Sequence, residues 1–141
     1  TIIARIIRPM SSQWTKPGVM LRKNLDHDSA HSSLLLLPHW NGALVTRKTK
    51  GAETQTIGLT HLGESHIIKK NRLSTPYWVK ISRIGETVRG FMSPDGESWQ
   101  KLGEVQIDLG KDYLVGLPAC SQLNKVATRV TYDNVQIVQK K

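Results

Sequence analysis

Apolar and polar residues alternate one by one in Val79-Lys80-Ile81-Ser82, and this period of two constrains the chain more than any other feature. On an extended strand successive side chains point to opposite faces, so Val79 and Ile81 share an apolar face and Lys80 and Ser82 a polar one. The same parity joins Val126, Thr128, Val130 and Tyr132, then passes to Val135 and Ile137. The switch falls at Asp133-Asn134, where a β-bulge or a bend is expected. Apolar residues at helical spacing over three turns are nearly absent. The pattern predicts an all-β chain folded as an antiparallel β-sandwich or jelly roll, with about ten short strands and a turn every ~8–12 residues.

Turn chemistry marks the strand ends. Pro17-Gly18 precedes Val19-Met20-Leu21-Arg22, Asn41-Gly42 is a strong hairpin signal, and Lys50-Gly51 and Gly85-Glu86 turn again. Pro94-Asp95-Gly96 combines proline's fixed φ with glycine's tolerance of positive φ, so Ser93-Pro94-Asp95-Gly96-Glu97-Ser98-Trp99 reads as a hairpin turn pinned by Trp99. Residues 61–74 are polar and basic and read as a longer loop.

The chain has 141 residues, enough for one domain with a proper core. Its apolar runs, such as Leu34 to Leu37, fall far short of the ~20 residues of a membrane span. No signal peptide is visible, and the start at Thr1 leads us to expect a mature or excised piece of a larger protein. The lone Cys120 allows no internal disulfide and is expected to be a buried structural thiol. Twenty Lys and Arg against 11 Asp and Glu give a net charge of +9, which favours anionic partners, although the cations lie in small scattered groups.

Several segments, taken in order, resemble one family. Trp14-Thr15-Lys16-Pro17-Gly18-Val19-Met20-Leu21-Arg22 is similar to a signature of concanavalin A-like (laminin-G-like) jelly-roll modules of bacterial extracellular proteins. Pro76-Tyr77-Trp78-Val79-Lys80, the Ser93–Trp99 turn, Tyr113-Leu114-Val115-Gly116-Leu117 and Tyr132-Asp133-Asn134-Val135 follow in the family's order, over almost the whole chain. The resemblance implies a non-catalytic module, extracellular or periplasmic, that binds carbohydrate or mediates surface contacts beside other domains. Family members have further N-terminal strands before the segment at Thr1, so a fragment, or a partner segment filling an exposed edge, is implied. The Ser93–Trp99 turn also resembles the Asp-box hairpin of sialidases, one residue shorter, and that box too is structural.

Related folds house glucanases, so catalytic patterns need a direct test. Retaining glycosidases hold two carboxyl groups ~5–5.5 Å apart, and the glucanases set them on one strand in an ExDxxE-like pattern that this sequence lacks. Asp95 and Glu97 share a turn, a poor scaffold for a preorganised pair. Asn24-x-Asp26-x-Asp28 resembles the start of a calcium loop, but Ser29 replaces the turn glycine and Leu35 the bidentate glutamate. Caps and Asx-turns are the expectation there, with calcium near Asn24, Asp26 and Asp28 as the alternative. His27, His31, His39, His61 and His66 lack zinc spacing, and no G-x-S-x-G elbow supports a hydrolytic triad.

Tryptophans offer the best sign of binding. Trp14, Trp78 and Trp99 are expected to pack in the core. Trp40 lies in the tight turn Pro38-His39-Trp40-Asn41-Gly42, where the ring either folds back onto the sandwich or, exposed, can stack on a sugar while His39, Asn41 and Arg47 hydrogen-bond its hydroxyls. Arg83 and Arg89, on adjacent strands, are further ligand-binding candidates. The sequence thus points to a non-catalytic module for glycans, acidic polysaccharides in particular, or for a protein surface. A glycoside hydrolase on the same fold and a basic nucleic-acid binder are the alternatives; no recognition helix or aromatic RNA-binding signature supports the latter.

Overall fold

The computed structural model describes residues 1–9, 14–37, 41–61 and 76–139, with the backbone alone at 8, 9, 41 and 59–61. Eleven strands and no helix form among them: β1 (Ile2–Pro9), β2 (Lys16–Arg22), β3 (His31–Leu36), β4 (Asn41–Arg47), β5 (Gln55–His61), β6 (Tyr77–Ile84), β7 (Thr87–Ser93), β8 (Gln100–Gln106), β9 (Leu114–Gly116), β10 (Ala119–Cys120) and β11 (Val130–Ile137). They build a five-stranded sheet in the order β11-β1-β6-β7-β8 and a six-stranded sheet in the order β10-β2-β3-β4-β5, with β9 also on β2. Every pairing is antiparallel. The chain is an all-β antiparallel sandwich, as the alternation predicts.

Parity decides which residues face the other sheet. Val79 and Ile81 of β6 are fully buried, as are Ala4 and Ile6 of β1, Val19 and Leu21 of β2, and Val88 and Met92 of β7. These side chains interdigitate with Leu34, Leu44 and Leu109 in one apolar core. Full burial of each Val, Leu, Ile or Met among them contributes about 1.5–3 kcal/mol.

The two long edges of the sandwich close differently. Where β5 faces β8, the backbones touch: a Cβ on Gly58 would lie 2.1 Å from the Leu102 carbonyl oxygen, so only glycine fits. At the other edge Tyr132 spans the layers. Its hydroxyl donates to the Pro118 carbonyl at 2.7 Å and accepts the Gly18 N–H at 3.1 Å.

β9 and β10 are separate short strands on either side of Pro118, which lacks the N–H that a continuous ladder needs. Two expectations need correction. Cys120 is exposed, since it sits on the outermost strand. Trp14, Trp78 and Trp99 lie outside the core. Trp14 is 43% exposed. Trp78 pairs with Arg5 across β1 and β6 and so shares the outward parity of Lys80. Trp99 covers Lys80 on that same outer face.

The Ser93–Trp99 stretch is a turn between β7 and β8. Gly96 takes φ +85°. The Asp95 carboxylate accepts the N–H groups of Glu97 at 2.8 Å and Ser98 at 2.7 Å and the Ser93 hydroxyl at 2.7 Å. Those bonds hold its pKa far below the ordinary carboxylate range. The ring lying over Gly96 belongs to Trp78, so Trp78 rather than Trp99 pins the turn.

Candidate functional site

Arg83 is the last inward-parity residue of β6, opposite the buried Val88 of β7. It reaches the end of the sandwich, where the β6–β7 turn meets the segment linking β8 to β9. A backbone bond from the Ile107 N–H to the Glu86 carbonyl, 2.9 Å, fastens the two. Between them lies an open cleft of about 490 Å³, lined by Arg83, Gly85, Glu86, Asp108, Lys111 and Tyr113 among others.

The Arg83 guanidinium is held on two sides. Its Nε donates to the Gly85 carbonyl at 2.6 Å, and its carbon lies 4.6 Å from the Tyr113 ring centroid, a cation–π contact. Its Nη1 is buried and has no hydrogen-bond partner. A buried N–H without an acceptor costs about 1–3 kcal/mol, more on a charged group.

The cleft's opposite charge comes from Glu86 and from Asp108. Oδ1 of Asp108 accepts the Gly110 N–H at 2.8 Å, and its Oδ2 accepts from Lys23 Nζ at 3.4 Å. Those two contacts, the Gly110 bond foremost, lower its pKa. A carboxylate held ionised accepts hydroxyl hydrogens and is poorly suited to donate a proton. The cleft therefore offers the Arg83 guanidinium, the Lys111 ammonium, the Tyr113 ring, the ionised Asp108 and a second acidic residue, Glu86.

The other sequence-selected residues separate. Arg89 faces the opposite side of its sheet from Arg83: it pairs with Ser82 and Glu104, and its Nε donates to Glu104 at 2.6 Å. Arg47 ends β4 as a loop clamp, donating to the Ala52 carbonyl at 2.8 Å and the His27 carbonyl at 3.1 Å. His39 and Trp40 lie outside the described residues, as does the Asn41 side chain. Nothing in the sequence marks Tyr113 and Asp108 as Arg83's neighbours, because they come from a segment 25 or more positions away.

The outer face of the five-stranded sheet carries a second group. Lys80 Nζ lies 3.8 Å from the Trp99 ring centroid and 4.8 Å from that of Phe91, while Arg5 stacks over Trp78 at 5.6 Å. Burial lowers the Lys80 pKa. These rings are already engaged by the protein's own cations. In the Asn24–Asp28 turn, the Lys50 ammonium sits 2.9 Å from Asp26 and 3.7 Å from Asp28, and the Asn24 side chain accepts the Asp26 N–H. Among the described residues no group of three or more His, Cys, Asp or Glu converges as a metal site.

Compared with protein-family models, curated proteins and solved structures, the chain finds no match. Among the described residues no helix is long and apolar enough to cross a membrane.

Proposed function

We propose that this chain is a non-catalytic binding module for acidic glycans, with the Arg83 cleft as its site. The Arg83 guanidinium, which lines the cleft beside Tyr113 and makes no ion pair among the described residues, carries the reading. A carboxylate or sulfate on the ligand pairs with this guanidinium and the Lys111 ammonium, the Tyr113 ring offers an apolar face to the sugar, and Asp108 accepts hydroxyl hydrogens. The net charge of +9 steers polyanions toward the protein. The concanavalin A-like resemblance of the sequence and the extracellular or periplasmic setting it implies agree with such a role.

Titration with polygalacturonate, a sulfated galactan and neutral dextran tests this. The two acidic polymers bind, dextran binds at least about tenfold more weakly, and Arg83→Gln reduces acidic-polymer affinity about tenfold or more. Full binding by Arg83→Gln would reject the cleft, and loss in Trp40→Ala instead would move the site to the β3–β4 connection. Equal, steeply salt-dependent binding of DNA would favour a general polyanion or nucleic-acid binder.

A further inference from the structure

The chain as a whole carries 20 Lys and Arg against 11 Asp and Glu, nearly two cations for each acid. The Arg83 cleft departs from that ratio. Its lining holds two cations, Arg83 and Lys111, and two acids, Glu86 and Asp108. A surface built only to gather polyanions gains nothing from acids at its mouth, because each of them repels the ligand.

The two acids come from the two walls. Glu86 shares the two-residue β6–β7 turn with Gly85, whose φ of +60° lets the chain reverse there. Asp108 stands on the segment after β8, its carboxylate held by the Gly110 N–H and by Lys23. The 2.9 Å bond from the Ile107 N–H to the Glu86 carbonyl ties one wall to the other. That bond is made by the main chain, so residue 86 keeps its place whatever side chain it carries.

The charges are close enough to act together. The Gly110 bond and Lys23 lower the Asp108 pKa, and Arg83 adds to them, so guanidinium and carboxylate feel each other across the cleft. Glu86 follows Arg83 by three residues, a span of about 10 Å at most, comparable to the Debye length of about 8 Å at physiological salt. Glu86, Arg83 and Lys111 make no ion pair among the described residues. Lys23 and Asp108 meet at 3.4 Å with both side chains about half exposed or more, a contact too open to cancel the acid's charge.

We infer that Glu86, together with Asp108, sets the charge spacing of the ligand: the cleft selects an anionic sugar between uncharged neighbours over a chain with an anion on every sugar. This rests on the acidic-glycan reading above and narrows it to sparsely charged polysaccharides. One carboxylate pairs with Arg83 and Lys111, and the hydroxyls of the neutral sugars beside it donate to the two acids. Further anions on those neighbours bring like charge against Glu86 and Asp108, a repulsive element of the kind that specificity requires.

The probes are tetragalacturonate, with a carboxylate on every ring, and the same tetrasaccharide methyl-esterified on alternate rings, so that charge spacing is the main difference. Titrated against the full chain, the half-esterified form binds about threefold or more tighter, although it carries fewer charges. Glu86→Gln abolishes or reverses that preference by strengthening the fully charged form, and its unfolding midpoint stays at the wild-type value. Glu86→Asp, which keeps the charge, keeps the preference. Tighter binding of the fully charged form by the wild type, or a preference that Glu86→Gln leaves intact, would overturn the inference; the cleft itself would stand if Arg83→Gln weakens both ligands about tenfold. Failure of both to bind the wild type, or binding that Arg83→Gln leaves unchanged, would remove the acidic-glycan reading and this inference with it.

Discussion

The Tyr132 hydroxyl donates a 2.7 Å hydrogen bond to the Pro118 carbonyl, joining β11 of one sheet to the β9–β10 link of the other. Removing it tests how firmly the layers are tied at that edge. Tyr132→Phe should lower stability by about 1 kcal/mol in urea unfolding. Burial raises the Tyr132 pKa above its ordinary 10.0. The unfolded chain therefore releases this proton first, and the contribution is complete below pH 10 and lost as pH rises through the folded value. The gap between wild type and Tyr132→Phe should narrow in strongly alkaline buffer; an unchanged gap would show that folding does not raise the Tyr132 pKa.

Asp95 makes the opposite prediction at acid pH. Its folded pKa lies well below the ordinary 3.8, chiefly because of the Ser98 and Glu97 N–H bonds. Its stabilisation is present above pH 3.8 and lost as pH falls toward the folded value. Asp95→Asn should melt lower than wild type at pH 7, and the difference should shrink below pH 4. Other carboxylates, Asp133 and Glu104 among them, are shifted the same way, so the difference between the two proteins is the informative quantity.

Gly96→Ala sets strain against packing in that same turn. A Cβ there would sit 2.8 Å from Cε2 of Trp78 at a φ of +85°. The left-handed backbone alone costs about 1–2 kcal/mol for a residue with a Cβ. Unfolding should show at least that loss, with a change in tryptophan emission as the Trp78 ring is displaced. Unaltered emission at full stability would mean that Trp78 does not cap the turn.

At Gly58 the obstacle is backbone rather than a movable side chain. Alanine would bring its Cβ 2.1 Å from the Leu102 carbonyl oxygen, so β5 and β8 must move apart. About 1–3 kcal/mol of destabilisation is expected by chemical unfolding. Wild-type stability would contradict the close contact.

Much of the fold could be read from parity. The alternation in β6, the glycine-centred turn before β8 and the bulge at Asp133-Asn134 are local events, written in neighbouring residues. The misplacement of Trp78 and Trp99 has an equally physical cause. Aromatic size suggests core, but parity puts Trp78 with Lys80 on the outward face, where cations cover the rings. Cys120 misled for a related reason: an apolar run signals burial only if another strand lies beyond it. Arg83 was legible as a candidate and its surroundings were not, because Tyr113 and Asp108 reach it through strand order, which pattern alone does not set.

The two edges of the sandwich are joined by different means. At Gly58 the layers meet backbone to backbone, whereas at Tyr132 a whole phenol bridges the gap. Glycine at position 58 thus sets how closely the layers approach along that edge, since any side chain there would have to stand between two backbones.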